Sequence, residues 1–413
     1  MIVNDVVYVL LDPGVPAFGR KGSSVHVQAV LRELVARAAQ TGGRVTLVAA
    51  RVGGEAPQGL ESVEVIETKP PKTAGVAERE QALIALDEAV AATVADLVRA
   101  SLPESSAHAV VKTDGTAADV LPLVYQRYSL FSCRVLEEAA AAGAATVLEV
   151  NAPLVQEQAT HRELHAVDAA SEMTVRALRA AGSAIAVSSG VARWAQAESG
   201  RPVQTVPNGV DLARYEQVQA RDVQRPVVAF VGGFRPWHDP EQLVRAAAEL
   251  GRRGMPVELL LVGDGPCLPQ VLEQAASAGV SVRSVGLVAP ADVPGLLAQA
   301  DIAVAPYPAG DAYFSPLKVA EYLACGLPAV LSAVADLPDL LAPGEAHLVP
   351  PGDESAFVEA LALLVADREA RARMGAAARA ASERFTWSAV VDEILRGAQA
   401  GREREPVGHV GVG

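Results

Sequence analysis

One segment shapes the expected fold more than any other: Tyr313-Phe-Ser-Pro-Leu-Lys-Val-Ala-Glu-Tyr-Leu-Ala-Cys-Gly326. Ser315 is a favoured N-cap residue, Pro316 suits the first helical position, and Gly326 can end the helix. The segment follows a predicted strand and its loop, so the helix should begin at the carboxyl edge of a parallel sheet, where ligands bind. Its free amide groups, with Lys318 in the first turn, then form a site for an anion.

A carboxylate accompanies that lysine on the predicted helix. Glu321 lies three residues beyond Lys318, so both side chains can face the same direction. One turn behind a phosphate site, a carboxylate is well placed to accept hydrogen bonds from ribose hydroxyls. The alternative is an ordinary surface ion pair between the two residues, and the residues alone favour neither interpretation.

Outward from this segment, strand and helix patterns alternate in two blocks. Strands separated by helices predict parallel sheets covered by helices on both faces, an α/β fold with two Rossmann-like halves. The predicted strands of the first block are 6–11, 44–49, 109–112, 145–150 and 184–188, with a helix at 25–39 and an exposed excursion at 51–77. The predicted strands of the second block are 227–231, 257–262, 281–287 and 301–305, with helices at 241–251, up to Gly279 and at 292–300.

These blocks give the expected domain boundaries. A first Rossmann-like domain spans 1–200, a hinge or linker spans 201–225, and a second Rossmann-like domain spans 226–385. A final helix, 386–401, is expected to pack back on the first domain. The charged and Gly-rich tail, 402–413, is expected to be disordered.

Composition narrows the function classes. The 413 residues suffice for two cores, half of them are apolar and the formal net charge is −14. Without a cluster of Lys and Arg, a nucleic-acid partner and strong attraction to an anionic membrane are both disfavoured. The three scattered cysteines, the absence of a signal-peptide pattern and the absence of an apolar run of roughly 18 residues predict a cytoplasmic protein.

Three further motifs accompany the first segment: Val206-Pro-Asn-Gly-Val-Asp211, Gly263-Asp-Gly-Pro266 and Ala324-Cys-Gly-Leu-Pro328. Their order and spacing resemble the nucleotide-binding domain of retaining GT-B glycosyltransferases of family 4, strongly from Pro226 to about Val349 and more loosely in the first domain. The resemblance implies two facing Rossmann-like domains with a central cleft, and the Asn-Gly turn of the first motif is the expected hinge.

The family signature is a pair of glutamates separated by seven residues. The second matches Glu321, which by resemblance binds the ribose. The first, which contacts the transferred sugar in the family, falls on Tyr313, so the donor preference is expected to differ. Between these two positions the family holds the diphosphate with backbone amides, which here belong to Ser315, Leu317 and Lys318.

The loop after the first strand of the second block is Gly232-Gly-Phe-Arg-Pro-Trp-His-Asp239. The family places Arg and Lys in this loop to neutralise the leaving diphosphate, and by register those positions are Gly233 and His238. Positive charge would then come from Arg235 and Lys318, while His238 donates a hydrogen bond. The alternative is that Arg235 and the neighbouring tryptophan only pin the loop.

In the first block, Gly19-Arg-Lys-Gly-Ser-Ser-Val-His26 opens a helix but lacks the G-x-G-x-x-G spacing, so NAD binding is disfavoured. The stretch resembles the glycine loop of the family, and Gly22 and Ser23 are therefore candidates for contact with the donor phosphates. A plain helix-entry turn is the alternative.

A later strand of the first block ends in polar residues. Glu149 and Asn151 alternate in phase at its end, and many family members carry a histidine in place of Asn151. Arg127, at the end of another predicted strand, is a further candidate. For these residues the sequence favours neither a structural role at the strand end nor a role in the cleft.

By resemblance, the reaction is the retaining, metal-independent transfer of a sugar from a nucleotide-diphosphate sugar, without a cofactor. Such chemistry needs charge stabilisation on the leaving group more than a strong side-chain base. Arg235, Lys318, Asn151 and Glu149 are the catalytic candidates. The acceptor would be a small molecule, a glycan or a lipid-linked sugar. The alternatives are a catalytically silent nucleotide-sugar binder or partner subunit, and a sugar-nucleotide epimerase of the same fold.

Overall fold

The computed structural model describes residues 2–102, 109–111, 117–161, 163–310 and 317–404. The chain divides into two compact units, of which the second is Asn208–Thr386. The first unit contains the residues up to Pro207 and those from Trp387 onward. The predicted linker, 201–225, is therefore divided, because residues from 208 onward belong to the second unit. There the backbone N–H of Val218 donates to the carbonyl of Cys325 at 2.7 Å.

The first unit is built on an eight-stranded sheet. Seven of its strands run in the order β3-β2-β1-β5-β6-β7-β8, and all of these neighbours are parallel. The eighth, β4, pairs with β5 in the antiparallel sense. The strands are β1 (Ile2–Leu10), β2 (Val45–Ala49), β3 (Glu64–Glu67), β4 (Ala109–Val111), β5 (Ala117–Arg127), β6 (Ala145–Val150), β7 (Ser183–Ala186) and β8 (Gln204–Thr205).

Helices connect most of these strands, and the last helix of the chain returns to this unit. They are α1 (Gly22–Ala39), α2 (Val76–Ser101), α3 (Arg134–Ala141), α4 (Leu154–His161), α5 (Val167–Ala180), α6 (Ser189–Ser199) and α14 (Trp387–Arg404). The α14 helix contacts α1, β6 and β7.

The second unit has a six-stranded, all-parallel sheet in the order β11-β10-β9-β12-β13-β14. Its strands are β9 (Val227–Val231), β10 (Glu258–Val262), β11 (Ser281–Gly286), β12 (Ile302–Ala305), β13 (Ala329–Ser332) and β14 (His347–Val349). Its helices are α7 (Glu241–Arg252), α8 (Leu268–Ala278), α9 (Val293–Leu297), α10 (Leu317–Ala324), α11 (Leu337–Leu340), α12 (Glu354–Ala366) and α13 (Arg368–Ser382).

Alternating side chains of the second sheet enter two separate cores. Val228 and Phe230 of β9 pack in one apolar cluster, whereas the intervening Ala229 packs in the other. Because successive side chains of a strand point to opposite faces, both faces of this sheet are covered. The α/β class with two Rossmann-like halves is confirmed.

Each sheet reverses its strand order at one place. In the first unit the chain moves from β1 to β2 and β3 and then returns to the other side of β1 with β5. In the second unit it moves from β9 to β10 and β11 and returns with β12. Crossover loops leave in opposite directions at such a switch point, and the crevice beyond the carboxyl ends of the two strands is where open α/β sheets bind ligands.

Three sequence predictions need correction. The expected parallel strand at 109–112 is antiparallel over residues 109–111, because β4 leads by a short connection into β5 and such a connection favours antiparallel pairing. The excursion 51–77 contains β3, a mostly exposed edge strand held by backbone pairing with β2. The tail prediction is wrong for residues 402–404, which continue α14; residues 405–413 lie outside the described part of the chain.

The N-terminus of α3 is capped by a buried aspartate that belongs to another helix. Asp87 of α2 accepts hydrogen bonds from the backbone N–H groups of Cys133 and Arg134, both at 2.9 Å. It also accepts a hydrogen bond from the hydroxyl of Ser132 at 2.8 Å. The first N–H groups of a helix have no partner within the helix, so this carboxylate both caps α3 and ties it to α2.

We predict that Asp87→Ala lowers the free energy of unfolding by about 2–3 kcal/mol, because it leaves buried N–H groups without an acceptor. Asp96→Ala provides the matched control, since Asp96 lies on the same helix but is exposed, and its ion-pair partner in the described part of the chain is Arg99. Chemical denaturation of the full chain measures both variants. Equal effects of the two substitutions would contradict the capping role.

Candidate functional site

Two glycines bring the strand-end loops of the second unit together. A Cβ on Gly263 would lie 2.0 Å from the carbonyl oxygen of Gly232, and the φ of Gly263 is +126°. A Cβ on Gly232 would lie 2.8 Å from the Nζ of Lys318. No larger residue fits at either position without moving its neighbours, so the backbone at the end of β9 lies directly against the lysine amine.

The amine of Lys318 is buried at this switch point. Its Nζ lies 4.3 Å from the centroid of the Phe230 ring and 5.6 Å from that of Tyr307, distances at which aromatic rings attract a cation. Across the described residues, Nζ has no hydrogen-bond partner. Burial lowers the pKa of Lys318 to about 7, against the opposing attraction of Glu321.

The loop after β9 carries the other two basic candidates. Arg235 is exposed, and its guanidinium carbon lies 5.9 Å from the Trp237 ring centroid. The Nδ1 of His238 is hydrogen-bonded to the carbonyl oxygen of Gly233. Burial, followed by the positive charges of Lys318 and Arg235, lowers the pKa of His238 to about 3. His238 is therefore neutral near pH 7 and supplies no charge there.

Glu321 stands one turn after Lys318 on α10. The hydroxyl of Tyr215 donates to its Oε1 at 2.8 Å. Burial raises the pKa of Glu321, while this hydrogen bond and the charges of Arg214 and Lys318 oppose the increase. The described residues supply one hydrogen bond to this half-buried carboxylate, and it reaches only one of the two oxygens.

The α10 helix starts at Leu317, so the backbone amides of Leu317 and Lys318 belong to its first turn, as expected. Tyr313 and Ser315, predicted to contact the donor, lie outside the described residues. Gly326 follows the helix with φ +64°, which confirms the predicted terminator. Arg379 donates to the carbonyl of Ala324 and closes that end.

The first unit carries a second cluster of buried polar groups, centred on Glu149. The hydroxyl of Tyr125 donates to Glu149 Oε2 at 2.9 Å, and Asn151 Nδ2 donates to Oε1 at 3.0 Å. His26 Nε2 forms an ion pair with the same Oε1, and Arg127 Nη1 lies 3.9 Å from it. Arg127 and Glu149 are direct partners in the ladder between β5 and β6, so the cluster lies at the switch-point end of the sheet.

The carboxyl group of Glu149 is charged despite being buried. Burial acts to raise its pKa, but the charges of His26 and Arg127 and the hydrogen bonds from His26 and Asn151 outweigh it and lower the pKa to about 2. The His26 ring also meets Trp387 of α14 edge to face, with 5.0 Å between centroids.

Gly22 and Ser23 begin α1 and are exposed and half-buried respectively. The loop before them is fastened to the helix, because Gln28 Nε2 donates to the carbonyls of Ala17 and Gly19 at 3.1 and 2.9 Å. The described contacts do not link Gly22 or Ser23 to the Glu149 cluster. Their role at the donor phosphates stays a prediction.

The structure thus brings Lys318 together with the loop residues Gly233 and His238, and Glu149 together with Asn151 and Arg127. Sequence reasoning missed His26 and Tyr215 as partners of the two glutamates. For His26 a signal existed, since it lies one turn inside a helix that follows the first strand. For Tyr215 no such signal existed, because it lies far from Glu321 in the chain.

Across the described ranges, no three His, Cys, Asp or Glu side chains are grouped as a metal ion requires. The helices described there also include none with the length and apolar composition needed to cross a bilayer. The metal independence of the chemistry stays a prediction.

Two family models match the chain. Residues 22–214 match the model described as Glycosyltransferase Family 4, and residues 225–367 match the model described as Glycosyl transferases group 1. Together they cover most of the sequence, in the order that the two units take along the chain. The chain belongs to glycosyltransferase family 4.

Curated relatives of this family 4 member include the D-inositol 3-phosphate glycosyltransferase of Nocardia farcinica, 34% identical over 47% of this chain and 46% of the relative. Another is the phosphatidyl-myo-inositol mannosyltransferase of Mycobacterium leprae, 31% identical over 51% of this chain and 57% of the relative. The chain therefore matches about half the length of these curated relatives.

Solved structures with the same fold include Anabaena HepE in complex with UDP and glucose, with a TM-score of 0.67 at 18% identity. That comparison covers 96% of this chain and 100% of HepE. Sucrose-phosphate synthase from Thermosynechococcus elongatus gives a TM-score of 0.69 at 18% identity, over 97% and 99% of the two chains. These likenesses show the GT-B fold.

We predict that Glu149 stabilises the chain only while it is ionised. Its folded-state pKa of about 2 lies below the ordinary 4.5, so its contribution is present above pH 4.5 and is lost as the pH falls toward 2. The loss should be on the order of 3 kcal/mol. The test is denaturation of wild type and Glu149→Gln between pH 6 and pH 3. The difference between their free energies of unfolding should shrink as the pH falls.

The control is Glu172→Gln, whose carboxylate is exposed and lies 3.9 Å from Arg176. A stability difference between wild type and Glu149→Gln that does not change with pH would mean that folding leaves the pKa of Glu149 at its ordinary value, and a difference that changes in favour of wild type as the pH falls would mean that folding raises it.

Proposed function

We propose that this chain transfers a sugar from a nucleotide-diphosphate sugar to a hydroxyl acceptor, with retention of the anomeric configuration. The observation that carries the proposal is the buried amine of Lys318, which lies against the glycine backbone at a switch point. A buried cation without a hydrogen bond from the described residues is complementary to an anionic ligand group. Family membership makes the donor diphosphate the fitting anion.

The diphosphate would bind at the start of α10. There the backbone amides of Leu317 and Lys318 and the helix dipole favour an anion, and the Lys318 amine adds a full charge. Arg235 is exposed on the loop after β9 and offers a bidentate contact once a ligand is present. Gly232 and Gly233 let the phosphate approach the backbone closely.

The ribose of the donor would bind to Glu321. Tyr215 holds one carboxylate oxygen of Glu321, which fixes the side chain and leaves the other oxygen for a hydroxyl. The carboxylate is one helical turn from Lys318, a spacing that suits a ribose attached to the diphosphate.

Catalysis would depend on stabilising the charge that develops on the leaving diphosphate. Lys318 and Arg235 supply positive charge, whereas neutral His238 carries its one ring proton on Nδ1, which donates to the carbonyl of Gly233, so its Nε2 can only accept a hydrogen bond. A leaving-group oxygen would take the proton of the acceptor hydroxyl while the new bond forms on the same face of the sugar. No side-chain base is needed for that route.

For the acceptor we propose a polyol of the inositol type, free or lipid-linked. The support is the names of the two curated relatives, a D-inositol 3-phosphate glycosyltransferase and a phosphatidyl-myo-inositol mannosyltransferase. The polar Glu149 cluster of the first unit offers hydrogen-bonding groups for such a molecule.

A second candidate is a nucleotide-sugar binder without transferase activity. It is favoured by one observation: His238 stands where the family places a cation, and burial with neighbouring charges lowers its pKa to about 3. Such a protein would bind the donor but release no nucleotide above the uncatalysed rate.

Donor binding tests the proposal directly. In calorimetric titrations with UDP, UDP-glucose and GDP-mannose, we expect saturable binding of at least one, followed by turnover with myo-inositol or phosphatidylinositol. Lys318→Met and Glu321→Ala should each weaken binding about 10-fold or more, because each removes contacts to a charged or polar group. Arg252→Ala is the control, since that side chain is exposed on α7.

The same titrations should depend on pH through Lys318. Its pKa of about 7 means that the free amine is charged below pH 7 and neutral above it, so donor affinity should fall as the pH rises from 7 to 9. Lys318→Met should remove most of this dependence. Wild-type affinity that stays constant over that range would place the diphosphate elsewhere.

We further predict that turnover is equal with and without a chelator. The charge of the leaving group would be met by Lys318, Arg235 and the start of α10. Initial rates measured after exhaustive treatment with EDTA provide the test, with added magnesium as the comparison. Loss of activity with EDTA and its recovery with magnesium would overturn this mechanism.

A further inference from the structure

The Glu149 cluster leaves two polar atoms unused. Arg127 Nη1 and Asn151 Oδ1 are both buried, and neither has a hydrogen-bond partner among the described residues. The distance from Arg127 Nη1 to Glu149 Oε1, 3.9 Å, is too long for a hydrogen bond. A buried polar atom without a partner costs about 1–3 kcal/mol, so these two atoms are suited to bind a polar group of a ligand.

The orientation of the Asn151 amide follows from its neighbour. The ionised carboxylate of Glu149 can only accept hydrogen bonds, so the Asn151 atom that faces it must be Nδ2, the donor. The other amide atom, Oδ1, is then an acceptor. Arg127, in contrast, can only donate. The side chains of Arg127 and Asn151, which carry this donor and this acceptor, therefore both approach the same carboxylate oxygen, Oε1 of Glu149, at the carboxyl ends of β5 and β6.

We propose that Arg127 and Asn151 bind a single hydroxyl group of a sugar or polyol substrate, with Arg127 donating to the hydroxyl oxygen and Asn151 Oδ1 accepting its proton. This assignment rests on the proposed function. A hydroxyl group both donates and accepts hydrogen bonds at one oxygen, so a single hydroxyl can satisfy both buried atoms at once.

The surrounding charges favour a neutral hydroxyl over a phosphate or a cation. The carboxylate of Glu149 already offsets Arg127, so little positive charge remains for an anion. The Oδ1 of Asn151 would repel a phosphate oxygen, whereas Arg127 would repel a cation. Glu149 itself is a positioning residue, because it is occupied by Tyr125, His26 and Asn151 and orients the amide.

The hydroxyl can come from the acceptor or from the sugar of the donor, and two titrations separate these sources. The first uses myo-inositol in the presence of saturating UDP, observed by saturation-transfer NMR. The second compares UDP-glucose with UDP by calorimetry, so that the difference reports contacts to glucose. Both use the full chain as wild type, Asn151→Ala, Arg127→Met and the double variant.

We expect each single variant to weaken about 10-fold either the binding of myo-inositol or the contribution of glucose to the binding of UDP-glucose, because a hydrogen bond in a buried site is lost. Both residues would hold the same hydroxyl. The affinity of the double variant should therefore be only slightly lower than that of the more weakly binding single variant, rather than 100-fold lower than that of wild type. Affinity for UDP alone should be unchanged, which also shows that the variants fold. Arg99→Gln is the control, since that arginine of the first unit is exposed and pairs with Asp96.

Unchanged binding of both myo-inositol and the glucose of UDP-glucose in the variants would overturn the assignment, as would a double variant with fully additive losses. Absence of any binding of these two probes to the wild type would overturn it as well. If none of UDP, UDP-glucose and GDP-mannose binds, the proposed function fails; if one of them binds normally while the variants change nothing, only the hydroxyl assignment fails.

Discussion

The burial of the Lys318 amine is the constraint on which the candidate donor site depends. Removing an ammonium group from water is unfavourable, which is why burial lowers the pKa of Lys318 to about 7, and the described residues supply no hydrogen bond to it. The fold tolerates it because Gly232 leaves room for the amine and the rings of Phe230 and Tyr307 offer their electron-rich faces. In the proposed function a bound anion would offset this cost, because the amine is already in place in the unliganded chain.

The buried charge of the first unit is organised in the opposite way. Glu149 is surrounded by donors and cations, and its pKa is lowered although it lies in the interior. A carboxylate satisfied in this manner is rigid, and it fixes the orientation of the side chains around it. The buried charge of the first unit is therefore satisfied by the groups around it, whereas the second unit buries an amine for which we propose an anionic ligand.

Both clusters lie where their sheets reverse strand order. Arg127 ends β5 next to β1, and Gly232 follows β9 next to β12. The crossover loops separate at these points, so side chains from distant parts of the chain can meet in the crevice. The same topology explains why the two units, with different sequences, each concentrate polar residues at the carboxyl ends of their central strands, whereas strands such as β6 and β12 are buried along their length.

The sequence by itself determined the class of fold and most of the strands, because apolar runs bounded by turns are a local signal; β6 and β9 lie at the predicted residues. It also determined the candidates Lys318, Glu321, Glu149 and Asn151 through helix and strand periodicity. Polar edge strands such as β3 escaped prediction, since backbone pairing rather than side-chain pattern holds them. Only the tertiary structure decided that Tyr215 holds Glu321, that His26 holds Glu149 and that the Lys318 amine is buried. Those facts depend on residues far apart in the chain, whose contacts no local pattern encodes.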